Sequence, residues 1–536
     1  MLVGTRLSEF QVRVLGILRN AGPAGDLVLF RASGPALQSA GGLAAGMSGS
    51  PIYLGGRLAG AFSYSFQASD PFIGLFTPIE YMLRDLPRTA AVPSTRTVAI
   101  APLRVGGQVI RHITVAASRR AVVRTAPGTL VAVPAATPLF LSGLDDAARA
   151  SLAQVLEPMG VEPMAGGSSA ALPPSMPLEP GSAIGVALLR GDIGAYAIGT
   201  LTYRDGNRLV AFGHPFMNLG PATYALTNAT ILQTVRGLSQ NIKVGAAGAV
   251  VGVITEDRPA AVGGTIGVLP RLFGVVVRVT DDDSGVSRRF VYQVLPDKTL
   301  APALVTLGAR EAIERALNRS GAGTAEVTMT VRGRGLPDAI TRDNRFYSAS
   351  DIAGQALSEV PAALRLAFSN DFTDVLPTDM EMDIHVTSRQ ETALITAADV
   401  DTRVVAPGEL LHVRVTVRPF RGEPETRDVT VTVPADLPPG PALLVVRAGT
   451  TTVLPNGGTV PAAGQTPPVA GSLTEAIRLF EQQERHTDIV AEILTTAVPP
   501  GAQTGPGAGR ISSTLTTPWV LDGRIPILLR IGGGAH

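Results

Sequence analysis

The sequence predicts a mainly β protein with several domains. Three observations lead to this prediction: a length of 536 residues, a hydrophobic fraction of 45%, and 59 glycines with 42 prolines spread along the chain. A chain of this length exceeds what one hydrophobic core organises, so we expect about three to four domains. Glycine and proline interrupt helices and are frequent in turns between short strands. The composition therefore favours an ordered, strand-rich protein over a helical or disordered one.

The first half of the chain reads mainly as short strands. Residues 1–95 contain alternating segments and a hairpin from Pro51 to Phe66 that turns at two glycines. Residues 96–181 add strands, a helix near Asp145 to Leu156 and a linker or long loop at the end. Residues 182–300 are dense in strands again.

The second half mixes helices and strands. Residues 301–375 combine two helical patterns with one strand and form an α/β segment. Residues 376–454 return to period-two alternation with frequent turns, which predicts a β-sandwich. Residues 455–536 begin with a Pro/Gly-rich linker, continue with a helix opened by a capping box of Ser472 and Glu475, and end in a strand. We therefore expect a helical C-terminal tail after the sandwich.

Charge and hydropathy exclude two classes of partner. The chain has 45 basic and 44 acidic residues, so no overall field favours nucleic acid. Only two of the basic residues are lysines, Lys243 and Lys298, and the scattered arginines indicate a genomic bias rather than a phosphate-binding site. No apolar run approaches the ~20 residues of a membrane-spanning helix, so we predict no transmembrane segment.

The residue types also argue against metals and cofactors. There is no cysteine, and no two of the six histidines are close in sequence. A zinc site normally needs such spacings, and the acidic run Asp281 to Asp283 lacks the pattern of a calcium loop. The glycines at Gly245, Gly248 and Gly252 are not followed by the lysine of a phosphate-binding loop. We therefore predict no metal and no cofactor.

A serine in a glycine-flanked turn is the strongest candidate for chemistry. The segment Gly42 to Pro51 reads GLAAGMSGSP and places Ser48 between Gly46 and Gly49. A nucleophilic serine needs an exposed hydroxyl and neighbouring backbone N–H groups that bind an oxyanion. The glycines let the chain bend so that the amides of Gly46 and Ser48 point to one side. The same residues also suit a plain turn, and the Gly-x-Ser-x-Gly motif of α/β-hydrolases is not met.

The matching base is a histidine at a glycine–proline turn. His214 follows a strand and stands between Gly213 and Pro215, where an imidazole can project into a cleft. A single turn histidine is usually an ordinary residue, so this interpretation depends on the serine partner. The remaining histidines lie in alternating strands, on a helix or at the chain end: His112, His385, His412, His486 and His536.

These segments resemble the SpoIVB peptidase family of bacterial serine endopeptidases, which are likened to trypsin-like enzymes and known from spore-formation signalling. The resemblance implies that Ser48 is the nucleophile and His214 the general base. It also implies a trypsin-like two-lobed β-barrel module, with the serine in residues 1–95 and the histidine in residues 182–300. The matching stretches are GMSGSP from Gly46, GRLAGA from Gly56, Asp70-Pro71, TPIEYML from Thr77, IGTLTY from Ile198 and AFGH from Ala211.

The identity of a third, acidic residue is less well marked. In the family the histidine precedes the serine, whereas here Ser48 precedes His214, and no acid stands at the family's position. A Ser–His pair works better when a carboxylate fixes the imidazole tautomer. Asp257 closely follows a strand of the predicted histidine lobe and is our choice, although it reads equally as a loop residue paired with Arg258. Other carboxylates in or near the matched segments are Asp70, Glu80, Asp205 and Glu256.

Together these observations predict a serine endopeptidase of the SpoIVB type that acts on protein or peptide substrates. The alternative, from another functional class, is a non-catalytic cell-envelope binding or scaffold protein that keeps a peptidase-like fold. The missing acid, Pro215 after the histidine and the large C-terminal sandwich favour that alternative. We expect secretion or a place in the cell envelope, with a natural start upstream of Met1, because strand alternation begins at once, cysteine is absent and the family acts outside the cytoplasm.

Overall fold

A computed structural model of the chain confirms the mainly β fold, with 56% strand and 14% helix. The chain divides into two compact units, Met1–Phe273 with Val291–Gly308, and Gly274–Phe290 with Ala309–His536. The structure describes residues 4, 6–66, 69–84, 95–116, 126–135, 137–144, 146–156, 159, 161, 163–166, 178–237, 240–453, 459–461, 470–495 and 511–532.

The first sheet of unit 1 is built from the N-terminal strands. These are β1 (Gln11–Gly22), β2 (Gly25–Ser33), β4 (Pro51–Leu54), β5 (Arg57–Phe66), β6 (Ile73–Pro78), β7 (Arg96–Val105), β8 (Gln108–Val115) and β9 (Thr129–Pro134). The strand order is β1-β2-β6-β5-β9-β8-β7, with β4 paired to β5. Two short helices accompany the sheet, α1 (Pro35–Ala40) and α2 (Ile79–Arg84).

Alternating apolar residues explain why these strands fold together. On one face, residues such as Leu29, Tyr64, Leu75 and Ile113 form a buried cluster that draws on strands from both ends of the sheet. Burial of apolar surface is the main favourable contribution to such packing. One sheet therefore crosses the predicted boundary between residues 95 and 96, because β7, β8 and β9 belong with the serine-bearing strands.

The second sheet of unit 1 contains a closed barrel. Its strands are β3 (Ala44–Ala45), β10 (Leu139–Ser142), β11 (Pro163–Ala165), β12 (Ala183–Gly191), β13 (Gly194–Asp205), β14 (Arg208–Ala211), β15 (Gly220–Val235), β16 (Asn241–Arg258) and β17 (Ala261–Ile266), with α3 (Asp146–Leu156) between β10 and β11. Strand β12 pairs with both β13 and β15, which closes the antiparallel ring β12-β13-β14-β17-β16-β15. A ring leaves no unpaired edge between these strands. The short strand β3 pairs in parallel with the start of β16 and so attaches the serine turn to the barrel.

Unit 2 contains a run of neighbouring strands in the order β18-β22-β20-β21. Strand β18 (Phe273–Asp281) pairs in parallel with β22 (Leu376–Thr387), and β20 (Gly323–Arg334) pairs in antiparallel with both β22 and β21 (Ile340–Ser348). Helices α5 (Ile352–Ala356) and α6 (Val360–Phe368) follow β21. Strand β19 (Val286–Val294) and helix α4 (Leu300–Leu317) contribute residues to both units, so the predicted boundary at residue 300 falls at the start of a helix.

A two-sheet sandwich forms the rest of unit 2. Its strands are β23 (Thr392–Val400), β24 (Val404–Val405), β25 (Leu410–Pro419), β26 (Glu425–Thr432), β27 (Gly440–Ala448), β30 (Asp488–Thr495), β31 (Ile511–Thr516), β32 (Val520–Asp522) and β33 (Arg524–Ile531), while β28 (Thr451–Val453) and β29 (Thr459–Pro461) form a separate pair. The sheets β26-β25-β23-β32 and β24-β33-β27-β30-β31 share one core, to which Val413 and Leu444 belong. The sandwich therefore begins later than residue 376, because β22 joins another sheet. It also continues past residue 454, because the C-terminal strands complete its core.

The C-terminal helix begins where the capping residues predict. Helix α7 (Leu473–Glu481) follows Ser472, whose hydroxyl accepts a hydrogen bond from the Glu475 amide at 3.2 Å. The Glu475 carboxylate accepts from the Gly471 amide at 2.7 Å, one residue before the predicted partner. Much of the predicted linkers at 162–181 and 455–471 lies outside the described residues. Among the residues that are described, none of the helices combines the length and the apolar character needed to cross a membrane.

Candidate active site

The serine turn connects β3 to β4 and depends on two glycines with positive φ. Gly46 has φ +84° and Gly49 has φ +90°, a region that side chains with a Cβ rarely occupy. The Gly49 amide donates to the Phe62 carbonyl at 2.8 Å, which ties the turn to β5. A Cβ on Gly49 would lie 2.1 Å from the Thr200 carbonyl oxygen, so only glycine fits between the turn and β13.

Hydrogen bonds fix the orientation of the Ser48 amide. The Met47 carbonyl accepts from the Ser50 amide at 2.9 Å and from the Ser50 hydroxyl at 2.7 Å. Because the Met47 carbonyl and the Ser48 N–H belong to one peptide plane, that N–H points to the opposite side. Among the residues that the structure describes, no acceptor is found for it. An N–H group without an acceptor is what the predicted oxyanion role of the Ser48 amide requires.

Thr200 on β13 holds the same turn from the barrel side. Its amide donates to the Ser48 carbonyl at 2.9 Å, and its hydroxyl donates to the Gly46 carbonyl at 3.2 Å. These bonds hold the Gly46–Met47 and Ser48–Gly49 peptide groups, which flank the peptide group that carries the Ser48 amide. The predicted pair Gly46 and Ser48 is therefore built into the barrel through Thr200, a residue whose hydroxyl the sequence analysis did not single out.

His214 lies in the loop after β14, on strained backbone. Phe212 and Gly213 both have φ +72°, and the Gly213 carbonyl accepts from the Thr77 hydroxyl of β6 at 2.7 Å. The His214 Nδ1 atom lies 2.6 Å from the Pro215 carbonyl oxygen. A carbonyl can only accept, so Nδ1 carries a proton, and in the neutral imidazole Nε2 then carries the lone pair. A backbone carbonyl thus fixes the imidazole tautomer, a role that the sequence predicts for a carboxylate.

One threonine hydroxyl lies between the predicted nucleophile and base. Thr137 Oγ1 is 3.5 Å from Ser48 Oγ and 3.4 Å from His214 Nε2. Because Nε2 is the acceptor, Thr137 donates to it and accepts from Ser48. Both distances exceed the ~2.7–2.8 Å of a strong hydroxyl bond, which is common in free enzymes whose catalytic bonds tighten on binding. The structure therefore brings Ser48 and His214 together around Thr137.

Sequence reasoning missed Thr137 because no local pattern marks it. It lies in the connection between β9 and β10, within the range 96–181 that carried no predicted function. Its role depends on contacts with Ser48 and His214, which lie 89 and 77 positions away from it in the chain.

Asp257 does not orient the imidazole, which corrects the prediction of a direct triad acid. It is 0% exposed, and its carboxylate accepts from the Phe216 amide at 2.8 Å, the Met217 amide at 2.8 Å and the Tyr224 hydroxyl at 3.1 Å, with the Leu219 amide at 3.5 Å. Burial raises the pKa of this carboxyl, and the four donors oppose the rise. Asp257 instead anchors the loop that follows His214.

The alternative pairing of Asp257 with Arg258 is not observed either. Arg258 pairs with Glu256 at 2.7 Å. Asp70 pairs with Arg31 at 2.8 Å and accepts from the Phe72 amide at 2.9 Å, which is a structural role in a turn. Glu80 lies in the first turn of α2 and Asp205 at the end of β13.

Replacing Asp257 with alanine is expected to lower the free energy of unfolding by roughly 3 kcal/mol or more, because several buried N–H and O–H donors lose their acceptor. Tyr224→Phe removes one donor and should cost about 1 kcal/mol. Urea unfolding curves measure both effects. Glu256→Ala is the matched control, since it removes a partly exposed carboxylate from the preceding position. Equal stability of Asp257→Ala and Glu256→Ala would contradict the anchoring role.

Within the described part of the chain, no three His, Asp or Glu side chains form a group that could hold a metal ion. No protein-family model matches the chain, and no curated protein matches it.

Proposed function

We propose that unit 1 is a serine endopeptidase module of the SpoIVB type, with Ser48 as nucleophile and His214 as general base. The observation that carries the proposal is that Ser48 Oγ and His214 Nε2 both lie within 3.5 Å of the Thr137 hydroxyl. The Pro215 carbonyl fixes one tautomer of His214. With that tautomer, Ser48 donates to Thr137 and Thr137 donates to His214. The closed barrel that carries His214 fits the histidine-bearing lobe expected of a trypsin-like module.

The proposed reaction uses these groups in sequence. Ser48 Oγ forms a bond to the scissile carbonyl carbon, its proton passes to Thr137, and the Thr137 proton passes to His214 Nε2. The Ser48 amide donates to the oxyanion that forms. His214 then gives its proton to the leaving amine as the C–N bond breaks, and water hydrolyses the acyl-enzyme by the reverse proton path. The Pro215 carbonyl stabilises the imidazolium through Nδ1–H.

Access to the serine is a requirement of the proposal. Ser48 is 0% and His214 2% exposed in the structure. A peptide must reach Ser48 Oγ at bonding distance, so Thr137 has to shift when substrate binds. Such closed resting sites open on loop motions that precede chemistry.

The same burial favours the second candidate function, a non-catalytic binding or scaffold protein of the cell envelope. In that case the hydroxyls and the imidazole form a satisfied polar cluster inside the fold. We propose a place in the cell envelope or outside the cell for either function, supported by the absence of cysteine and by the motif resemblance.

Cleavage of an unstructured casein distinguishes the two functions. The endopeptidase proposal predicts new amino termini that accumulate with the wild-type chain and not with Ser48→Ala. The scaffold alternative predicts no cleavage by either protein and equal binding of the casein by both. A wild-type and a Ser48→Ala chain that cleave at the same rate would exclude Ser48 as the nucleophile.

Thr137→Val tests the relay through the threonine. Valine keeps the shape of threonine but removes the hydroxyl, so we expect casein cleavage to fall by about 10²-fold, the usual contribution of positioned proton transfer. Initial rates of casein cleavage measure the effect, and urea unfolding checks that the fold is retained. An unchanged or increased rate would mean that Thr137 separates the pair instead of connecting it.

A further inference from the structure

A lysine lies fully buried beside the serine turn. The chain has 45 lysine and arginine residues, of which only Lys243 and Lys298 are lysines. Lys243 is 1% exposed, whereas Lys298 is exposed. Arginine keeps its charge in proteins, while lysine can lose its proton when buried. A buried lysine, unlike a buried arginine, therefore suits a position where the proton must be able to leave.

The position of Lys243 connects it to the proposed oxyanion turn. It follows Ile242 on β16, which pairs with Ala45 of β3 directly before Gly46. A Cβ on Gly46 would lie 3.3 Å from Lys243 Cβ and 3.6 Å from Lys243 Cε, so the lysine stem packs against the turn. Its Nζ lies 3.4 Å from the hydroxyl of Thr200.

Thr200 carries this contact into the turn. The Thr200 hydroxyl donates to the Gly46 carbonyl at 3.2 Å, and the Thr200 amide donates to the Ser48 carbonyl at 2.9 Å. A hydroxyl has one proton to donate. It can be directed at the Gly46 carbonyl or at another acceptor, but not at both.

Among the described residues, no acidic side chain pairs with Lys243, whose Nζ contacts the Thr200 hydroxyl. Burial alone lowers the pKa of Lys243 to about 7. The turn 46–50 and β3 carry no titratable side chain, and the partner position on β15 is Thr234. On β13 the nearest titratable residue in sequence to Thr200 is Tyr203, and Tyr196 donates its hydroxyl to the Gly245 carbonyl at 3.3 Å. The remaining charged or titratable groups of β13, β15 and β16 lie at the strand ends away from Thr200, Thr234 and Lys243: Arg204, Asp205, Tyr224, Glu256, Asp257 and Arg258.

We propose that Lys243 is a positioning residue for the oxyanion turn, acting through Thr200. An ammonium group can only donate, so charged Lys243 leaves the Thr200 proton to the Gly46 carbonyl and holds the turn in place. A neutral amine has a lone pair, which accepts the Thr200 proton and frees the Gly46 carbonyl. The turn then loses one of the two bonds by which Thr200 orients it. This inference rests on the proposed nucleophilic role of Ser48.

The expected result is a decrease in Ser48 reactivity at alkaline pH. The rate of phosphonylation of the wild-type chain by a fluorophosphonate should fall several-fold as pH rises through the Lys243 transition. Lys243→Met removes the competing acceptor, so its rate should show no such fall. Thr200→Val removes the hydroxyl and should react slowly at every pH, again without the fall. Lys298→Met, the control at the only other lysine, should keep the wild-type profile.

The proton on Lys243 can be followed independently of activity. In a chain labelled with [¹³Cε]lysine only two lysine resonances occur, and Lys298→Met assigns them. We expect the Lys243 resonance to titrate at the same pH as the fall in reactivity. Because the folded pKa of Lys243 lies below its ordinary 10.5, unfolded chain binds more protons between pH 7 and 10.5, and stability should rise with pH there in the wild type but not in Lys243→Met.

The outcomes separate this inference from the function on which it rests. A wild-type chain that reacts at Ser48 with a profile identical to that of Lys243→Met would overturn the role of Lys243 and leave the proposed function standing. A folded wild-type chain that never reacts at Ser48 would overturn both. A Lys243 resonance that titrates several pH units away from the fall in reactivity would also overturn the inference.

Discussion

Replacing His214 with glutamine is expected to lower the rate of casein cleavage by about 10⁴-fold or more, as loss of the base does in Ser–His enzymes. Glutamine can donate and accept hydrogen bonds but cannot take up the Ser48 proton. Initial cleavage rates at neutral pH measure the effect. His412→Gln is the matched control, because His412 is exposed on β25 of unit 2 and has no part in the proposed reaction.

A loss of the same size in both histidine variants would point to a general effect of histidine replacement. A His214→Gln chain with wild-type activity would exclude His214 as the base. Near-ultraviolet circular dichroism of each variant shows whether tertiary packing is retained.

Gly49→Ala is expected to have the largest effect on stability. The added Cβ would lie 2.1 Å from the Thr200 carbonyl oxygen and 2.5 Å from the Phe212 amide nitrogen, both of which are backbone atoms. The φ of +90° is also unfavourable for alanine. We expect a loss of more than about 4 kcal/mol, or a chain that does not fold, as measured by urea unfolding.

Gly55→Ala provides the comparison for that loss. Gly55 also has positive φ, at the tip of the β4–β5 hairpin, but a Cβ there meets nothing within 4 Å. Only the backbone preference changes, so we expect a loss of about 1 kcal/mol. Similar losses for the two alanine variants would contradict the tight packing of the serine turn on β13.

Local sequence patterns predict the individual strands and helices, because neighbouring residues largely determine where a turn, a strand or a helix forms. The hairpin from Pro51 to Phe66 is β4 and β5, turning at two glycines with positive φ. The helix expected near Asp145 to Leu156 is α3 (Asp146–Leu156). Alternation, turn residues and caps act over a few positions, so they are readable along the chain.

The arrangement of the elements depends on pairings that no short segment encodes. Closure of the barrel requires β12 to pair with β13 beside it and with β15, which is about thirty residues further on. Completion of the sandwich requires β30, β31, β32 and β33, which follow helix α7 in the chain, to join sheets with strands that precede that helix. The predicted boundaries at 95, 300 and 454 do not coincide with changes of sheet, because the composition changes on which they were based do not reflect long-range strand pairing.

The candidate site shows the same division. Ser48 and His214 stand in turns with recognisable glycines, and the sequence predicted both. The Pro215 carbonyl replaces the expected carboxylate at Nδ1, and a backbone atom has no sequence signature. The sequence places Asp257 after a strand of the predicted histidine lobe, whereas it lies within β16, and its carboxylate accepts from loop amides instead of from the imidazole.

Phosphonylation of the folded chain by a fluorophosphonate tests most directly whether Ser48 is an activated nucleophile. The reagent forms a bond to a reactive serine Oγ with loss of fluoride, and the adduct is located by mass spectrometry of peptides. We expect one adduct per chain, on Ser48, which is absent from Ser48→Ala and from chain unfolded in urea. No adduct on the folded wild-type chain, or an adduct on another serine only, would contradict it.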